Sequence, residues 1–172
     1  NHGGRANSLT APNPDAIAKV VYNAVQKANV DVHSISYIEM HATGTKVGDP
    51  IEVEGIKAAF QELGYNGNIH QCAIGTVKAN IGHLEAASGM AGLVNSVLAM
   101  KNKWLPGLSN FTELNPNINL LNSPFYVKND GGPWHCKNNK KRTAVVNSFG
   151  FGGTNASIVL EEYTPTRSNK SS

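Results

Sequence analysis

A chain of 172 residues, 40% hydrophobic and 16% charged, is long enough to bury the core of one domain and has the balance of an ordinary globular protein. The net charge of +3 is modest and no basic stripe interleaved with aromatics occurs, which argues against nucleic acid; no run approaches the roughly 18 apolar residues that mark a membrane span. Two cysteines, Cys72 and Cys136, make no disulfide scaffold and point to a reducing compartment, and the opening residues lack the basic and apolar regions of a signal peptide.

Residues 1–14 are polar and rich in Gly and Pro, with no structural start signal, as expected of a chain that enters in the middle of a larger fold. Pro14-Asp15 then opens a helix in which Ile17, Val20, Val21, Ala24, Val25 and Ala28 recur at helical spacing. Residues 31–34 turn into a first strand over 35–40, and a loop carrying His41 follows. Asp49-Pro50 starts a second helix, marked by Ile51, Val53, Ile56, Ala59, Phe60 and Leu63 and closed by Gly64. A second strand is expected over 72–77. A third helix is expected over 85–100, nearly uncharged and rich in small residues, hence buried all round, with Gly89 and Gly92 admitting another backbone. Residues 106–124 form an extended crossing segment, 125–127 a short strand, 131–141 a polar loop and 142–147 a strand. A glycine turn over 148–155 leads to a last strand over 156–161. The order α-β-α-β-α-β-β-β implies a layered α/β fold over residues 1–163, with 164–172 a polar tail.

Two stretches carry the chemistry. In Tyr37-Ile-Glu-Met-His-Ala-Thr-Gly-Thr45 an apolar strand stops at a lone His and passes through small residues into a helix, and Ala73-Ile-Gly-Thr-Val-Lys-Ala-Asn-Ile-Gly-His83 repeats the arrangement. Such loops let a ligand approach imidazole and backbone together. Thr43 and Thr45 add hydroxyls, Asp49 and Glu52 offer orienting carboxylates from the next helix, and Lys78, on the strand end, can hold negative charge near His83. The His, Asp and Cys residues lack the dense spacing of a metal site. Gly150-Phe-Gly-Gly-Thr-Asn155 lacks the last glycine of a dinucleotide fingerprint and precedes a strand, and Gly44 to Gly48 is no phosphate loop. Phe149 and Phe151 stand out as two exposed aromatics on that glycine turn. Neither cysteine has a helix start or a base that would make it a thiolate.

Taken together, Glu39-Met-His-Ala-Thr-Gly-Thr45, Gly48-Asp-Pro-Ile-Glu52, Lys78-Ala-Asn-Ile-Gly-His-Leu-Glu85 and Asn147-Ser-Phe-Gly-Phe-Gly-Gly-Thr-Asn155 resemble the β-ketoacyl synthase family, most closely the ketosynthase domains of modular polyketide synthases. The resemblance runs from about Asn7 to Glu162 and covers only the C-terminal half of a thiolase-like fold, an α/β half with a mixed five-stranded sheet and helices on both sides. It implies a cytoplasmic transferase that performs decarboxylative Claisen condensation of a Cys-bound acyl chain with a malonyl unit on acyl carrier protein. His41 and His83 would be two imidazoles of near-neutral pKa beside the Cys, with Lys78 supporting His83 and Asp49 and Glu52 behind His41. Thr43 and Thr45 would hold the phosphopantetheine arm, which acts as substrate carrier while this half binds no cofactor of its own. Phe151 would be the gating aromatic, with Phe149 beside it.

The family's nucleophilic Cys lies in the other half, so the chain by itself is expected to be inactive. Its partners would be that N-terminal half, the carrier protein and, when intact, a second copy in a homodimer, and the surface meeting the missing half would be a large apolar patch. Ala42 departs from the Gly that follows the His in such enzymes, at a cost of about 1 kcal/mol if the backbone there needs positive φ. The alternatives are a non-condensing acyl-transfer domain, a decarboxylase-only relative, or a docking module whose basic stretch of Lys137, Lys140, Lys141 and Arg142 steers an acidic carrier protein.

Overall fold

The computed structural model describes residues 1–3, 12–136 and 141–165. Its first helix, α1 (Pro14–Ala28), begins where Asn13 accepts hydrogen bonds from the backbone of Asp15 and Ala16, with Pro in the first turn, and buries Ile17, Val21 and Val25. Strand β1 (Ile35–Glu39) follows, then α2 (Gly48–Glu62). Helix α2 ends in a Schellman motif: Tyr65 N–H donates to Phe60 O at 2.9 Å and Gly64 N–H to Gln61 O at 3.0 Å, with Gly64 at φ 78°. Helices α1 and α2 meet closely because Gly55 has no side chain: a Cβ there would lie 2.7 Å from Ile17 Cγ2.

Strand β2 spans Cys72–Gly75, shorter than expected, and is followed by an unforeseen single turn of helix, α3 (Lys78–Ile81). Lys78 therefore opens a helix rather than ending a strand. The chain makes one 3₁₀ turn at Glu85–Ala87 and then enters α4 (Ser88–Asn102). The remaining strands are β3 (Trp104–Leu105), β4 (Phe125–Val127), β5 (Gly132–Pro133), β6 (Thr143–Phe149) and β7 (Asn155–Glu161). One five-stranded sheet has the order β4-β2-β1-β6-β7, parallel throughout except for the antiparallel β6–β7 hairpin; β3 and β5 form a separate antiparallel pair. At the start of the chain, Asn1 exchanges two backbone hydrogen bonds of 2.8 Å with Asn155, so the opening residues do take a place at the sheet.

One face of the sheet is covered by α1 and α2, whose Ile17, Val21, Val53, Ile56 and Phe60 pack against Ile38, Ile74 and Val145. The opposite face carries α4 over a smaller core of Tyr37, Ala73, Ala99, Met100, Trp134 and Ala144. Trp134 corrects the polar-loop reading of 131–141. It is 2% exposed, sits edge-on to Tyr37 and donates its indole N–H to Ser36 Oγ at 2.9 Å, because the area of an indole outweighs its polar neighbours.

Helix α4 also departs from expectation. Its small residues Ser88, Gly92 and Ser96 face the sheet, where a Cβ on Gly92 would come 2.9 Å from Glu39 Cγ and 3.3 Å from Val146 Cγ1. What approaches the glycines is side chains of the sheet, not another backbone. Met90, Val94, Val97 and Leu98 form an apolar stripe on the outer side, with Met90 62% exposed, so the helix is not buried all round in this chain. Among the described residues no helix is long and apolar enough to cross a membrane. Lys137 to Lys140 of the expected basic loop, the start of the family resemblance at Asn7 and the tail beyond Pro165 lie outside the described residues.

Candidate functional site

Two residues past β1, the backbone turns out of the sheet and α2 catches it. Glu52, 2% exposed in the first half of α2, accepts from the His41 N–H at 2.8 Å on one carboxylate oxygen and from the Ala42 N–H at 2.8 Å on the other. Asn147 Nδ2 of β6 donates a third bond at 3.2 Å, and Asn147 is itself held by Ser157 Oγ at 2.9 Å. Burial pushes the Glu52 carboxyl up to about 7 against the pull of those donors. Asp49 accepts from Gly44 N–H at 3.2 Å, and its carboxyl is likewise raised by burial. Thr45 Oγ1 accepts from Gly48 N–H at 2.9 Å, tying the loop to the start of α2. Thr43 and Thr45 are both exposed. Ala42 is not among the residues with positive φ, whereas Gly44 is, at 79°; the Cβ of Ala42 packs on the core without backbone strain.

The imidazoles of His41 and His83 converge, with ring centroids 5.5 Å apart and planes at 86°. On the His83 side, Gly82 at φ 77° and Glu85 at φ 49° bend the chain sharply around the ring. The Glu85 N–H donates to His83 Nδ1 at 3.3 Å, which leaves Nε2 to carry the proton of the neutral ring. His41 Nδ1 is buried with no hydrogen-bond partner. Burial, then the charge of Lys78, then His83 push the His41 imidazole down to about 4, below the near-neutral value expected from sequence. His41 is thus a neutral ring at working pH, suited to donating one hydrogen bond rather than to taking up a proton.

Lys78, half-buried at the head of α3, is lowered by burial, against the pull of Glu39, Glu52 and Asp49. Phe149 lies against His41, ring centroids 5.5 Å apart and tilted by 49°, and belongs to the end of β6 rather than to the exposed turn. Phe151 stands at the tip of the turn, 79% exposed. The geometry therefore gathers His41, His83 and Phe149, with Glu52 and Asp49 behind them and Lys78 acting by charge, and leaves Thr43, Thr45 and Phe151 facing solvent.

Glu39 was missed. It sits 1% exposed in β1 and accepts from Tyr37 Oη, Asn95 Nδ2 and Val77 N–H, at 2.7, 2.7 and 2.6 Å. The available signal was a lone carboxylate inside an apolar strand, a position that burial makes costly unless donors surround it. Cys72 is fully buried in β2 and its thiol is raised by desolvation; Cys136 is partly exposed. Among the described residues, no group of three or more His, Cys, Asp or Glu side chains could hold a metal ion.

Residues 1–112 match the family model described as Beta-ketoacyl synthase, C-terminal domain, and residues 115–172 match Ketoacyl-synthetase C-terminal extension. The chain is 46% identical over 179 aligned residues to polyketide synthase PksN of Bacillus subtilis strain 168, covering 99% of this chain and 3% of that protein. It is 43% identical over 169 residues to polyketide synthase PksL of the same organism, covering 98% of this chain and 4% of that one. Among solved structures, the ketosynthase from module 6 of the bacillaene synthase of Bacillus subtilis 168 superposes with a TM-score of 0.90 at 44% identity, covering 96% of this chain and 29% of that chain. The chain thus spans less than a third of that ketosynthase's length.

Proposed function

The chain belongs to the β-ketoacyl synthase family, as the C-terminal part of a polyketide synthase ketosynthase, and from that premise we propose that His41 and His83 supply the two donors of a decarboxylative condensation. The observation that carries this reading is the convergence of the rings at 5.5 Å, with the proton of His83 directed to Nε2 by the Glu85 amide. When the C–CO2 bond of a carrier-bound malonyl thioester breaks, its electron pair delocalises onto the thioester oxygen. Two fixed N–H groups aimed at that oxygen stabilise the enolate as charge develops, at no cost of reorganisation. The α-carbon then attacks the acyl carbonyl and the enzyme thiolate leaves.

That thiolate comes from the other half of the ketosynthase. Cys72 is sealed in the sheet with its thiol raised, so it cannot take the acyl group. The outer stripe of α4, continued by Ile81 and Leu84, is the surface on which the Cys-bearing half packs. The intact domain works as a homodimer with acyl carrier protein, whose phosphopantetheine arm passes Thr43 and Thr45, with Phe151 as the gate. Charge steering by the basic stretch has little support from Lys141 and Arg142, which are already paired with Glu161 and Glu162 at 2.6 and 2.7 Å.

The test is an assay of CO2 release together with chain elongation. The ketosynthase carrying this chain should release CO2 and form β-ketoacyl product in equal amounts, while the 172 residues alone yield neither. Acyl loading without CO2 release would favour the acyl-transfer reading, and CO2 without elongation a decarboxylase. A second prediction concerns His41 itself. In a ¹⁵N NMR titration its ring should stay neutral from pH 8 down to about 5, since its folded value is about 4; protonation near 6.5 would remove the neutral-donor role.

A further inference from the structure

The carboxylate of Glu39 is surrounded in a way that a merely packed side chain does not require. It lies 1% exposed in the central strand of the five-stranded sheet, and its hydrogen-bond partners are donors: Tyr37 Oη and Asn95 Nδ2 on Oε2, at 2.7 Å each, and the Val77 N–H on Oε1 at 2.6 Å. These donors come from β1 itself, from α4 and from the segment that leads into α3. Helix α4 leaves room for the stem of Glu39 only because residue 92 is glycine, whose Cβ would stand 2.9 Å from Glu39 Cγ. A pocket of three donors without an added methyl group is shaped for an anion.

Val77 is the residue before Lys78, the first residue of α3, and α3 leads directly to His83. We infer that Glu39 is a positioning residue of this ketosynthase site: by gripping the Val77 amide it fixes where the next residue, Lys78, stands, and its carboxylate is a counter-charge to that ammonium. The inference rests on the ketosynthase reading of the site. The groups facing Lys78 are Glu39 from β1, Asp49 and Glu52 from α2, and the His41 ring. Of the three carboxylates, Glu39 has the strongest pull on Lys78. Burial raises the Glu39 carboxyl, and the three donors together with Lys78 act against that rise.

The experiment uses the intact ketosynthase carrying this chain, as wild type, Glu39→Gln and Tyr37→Phe. Glutamine can turn its oxygen to the Val77 N–H and its NH2 to Tyr37 Oη and a flipped Asn95, so the variant keeps the shape and loses only the charge. Condensation kcat should fall about tenfold with KM for the malonyl carrier changed less than about twofold, and the Lys78 titration, followed by NMR of reductively methylated lysines, should move down by about one pH unit, the equivalent of tenfold. Tyr37→Phe removes one donor and no charge, so it should loosen the carboxylate and lower kcat about twofold to threefold while the Lys78 titration stays in place. Unchanged kcat and an unchanged Lys78 titration in Glu39→Gln would overturn the inference, as would an unchanged kcat in Tyr37→Phe if the first variant does not fold. A wild-type enzyme that loads acyl groups without condensing would count against the condensing role alone, since the Lys78 titration still reports on Glu39.

Discussion

Replacing His83 by alanine in the intact ketosynthase is expected to lower condensation by about 100- to 1,000-fold, the cost of removing one preorganised donor from a developing oxyanion. Acyl loading should survive, because on the proposed reading the acyl-bearing thiolate is neither of this chain's cysteines. His41→Ala should have an effect of the same order, and the double variant should lose little more than either single one if both rings bind the same oxygen. The geometry makes the split between loading and decarboxylation the decisive readout. Phe149 packs on His41 and Glu52 grips its backbone, so the ring is held for one task. His83 is held only by its own loop, through the Glu85 amide and two residues at positive φ. Equal losses in loading and in CO2 release would mean that the histidines shape the site rather than stabilise the enolate.

Which of these features a reader of the chain could foresee depends on how local their causes are. Pro14-Asp15 and Gly64 announce their helix ends because such signals act within a few residues, and both ends stand where the pattern puts them. His41 was legible as a strand end followed by small residues, and that reading needs no distant partner; His83 instead follows α3, not the end of β2. Helix α3 was not legible, since a single turn has no amphipathic period to detect. Glu39 reads locally as a lone carboxylate within a short buried strand; the donor Asn95 that satisfies it lies 56 residues later, on the helix that covers the other face of β1. Trp134 is similar, with its indole partner Ser36 98 residues away. The error on α4 has another cause. Low charge marked the helix as apolar, yet its outer stripe is exposed in this chain, and composition alone does not say which face the sheet covers.

Glu52 gives the second large effect, and its sign against pH is worked out from the site. Removing the side chain in Glu52→Ala strands the amides of His41 and Ala42 and the Asn147 Nδ2, and should cost about 3 kcal/mol or more of stability at any pH, read by denaturant unfolding. Glu52→Gln separates charge from shape. The folded carboxyl titrates at about 7 and the unfolded one near 4.5, so its stabilising contribution is full below pH 4.5 and is lost as pH rises through 7. Glutamine is uncharged throughout, but its NH2 cannot accept from the His41 or Ala42 N–H, so the variant also carries a cost that does not change with pH. The variant should therefore gain on the wild type between pH 4.5 and 7, by about 3 kcal/mol at most. His41 acts in the opposite sense: its lowered value makes the fold lose stability as pH falls from 6.5 towards 4. In the wild type the two slopes oppose each other across that range, and in Glu52→Gln the histidine's slope is no longer offset by Glu52. A difference between wild type and variant that does not change with pH would mean that the three donors outweigh burial and hold Glu52 ionised. The His41 loop would then be anchored by a permanent anion, and its position would not respond to pH.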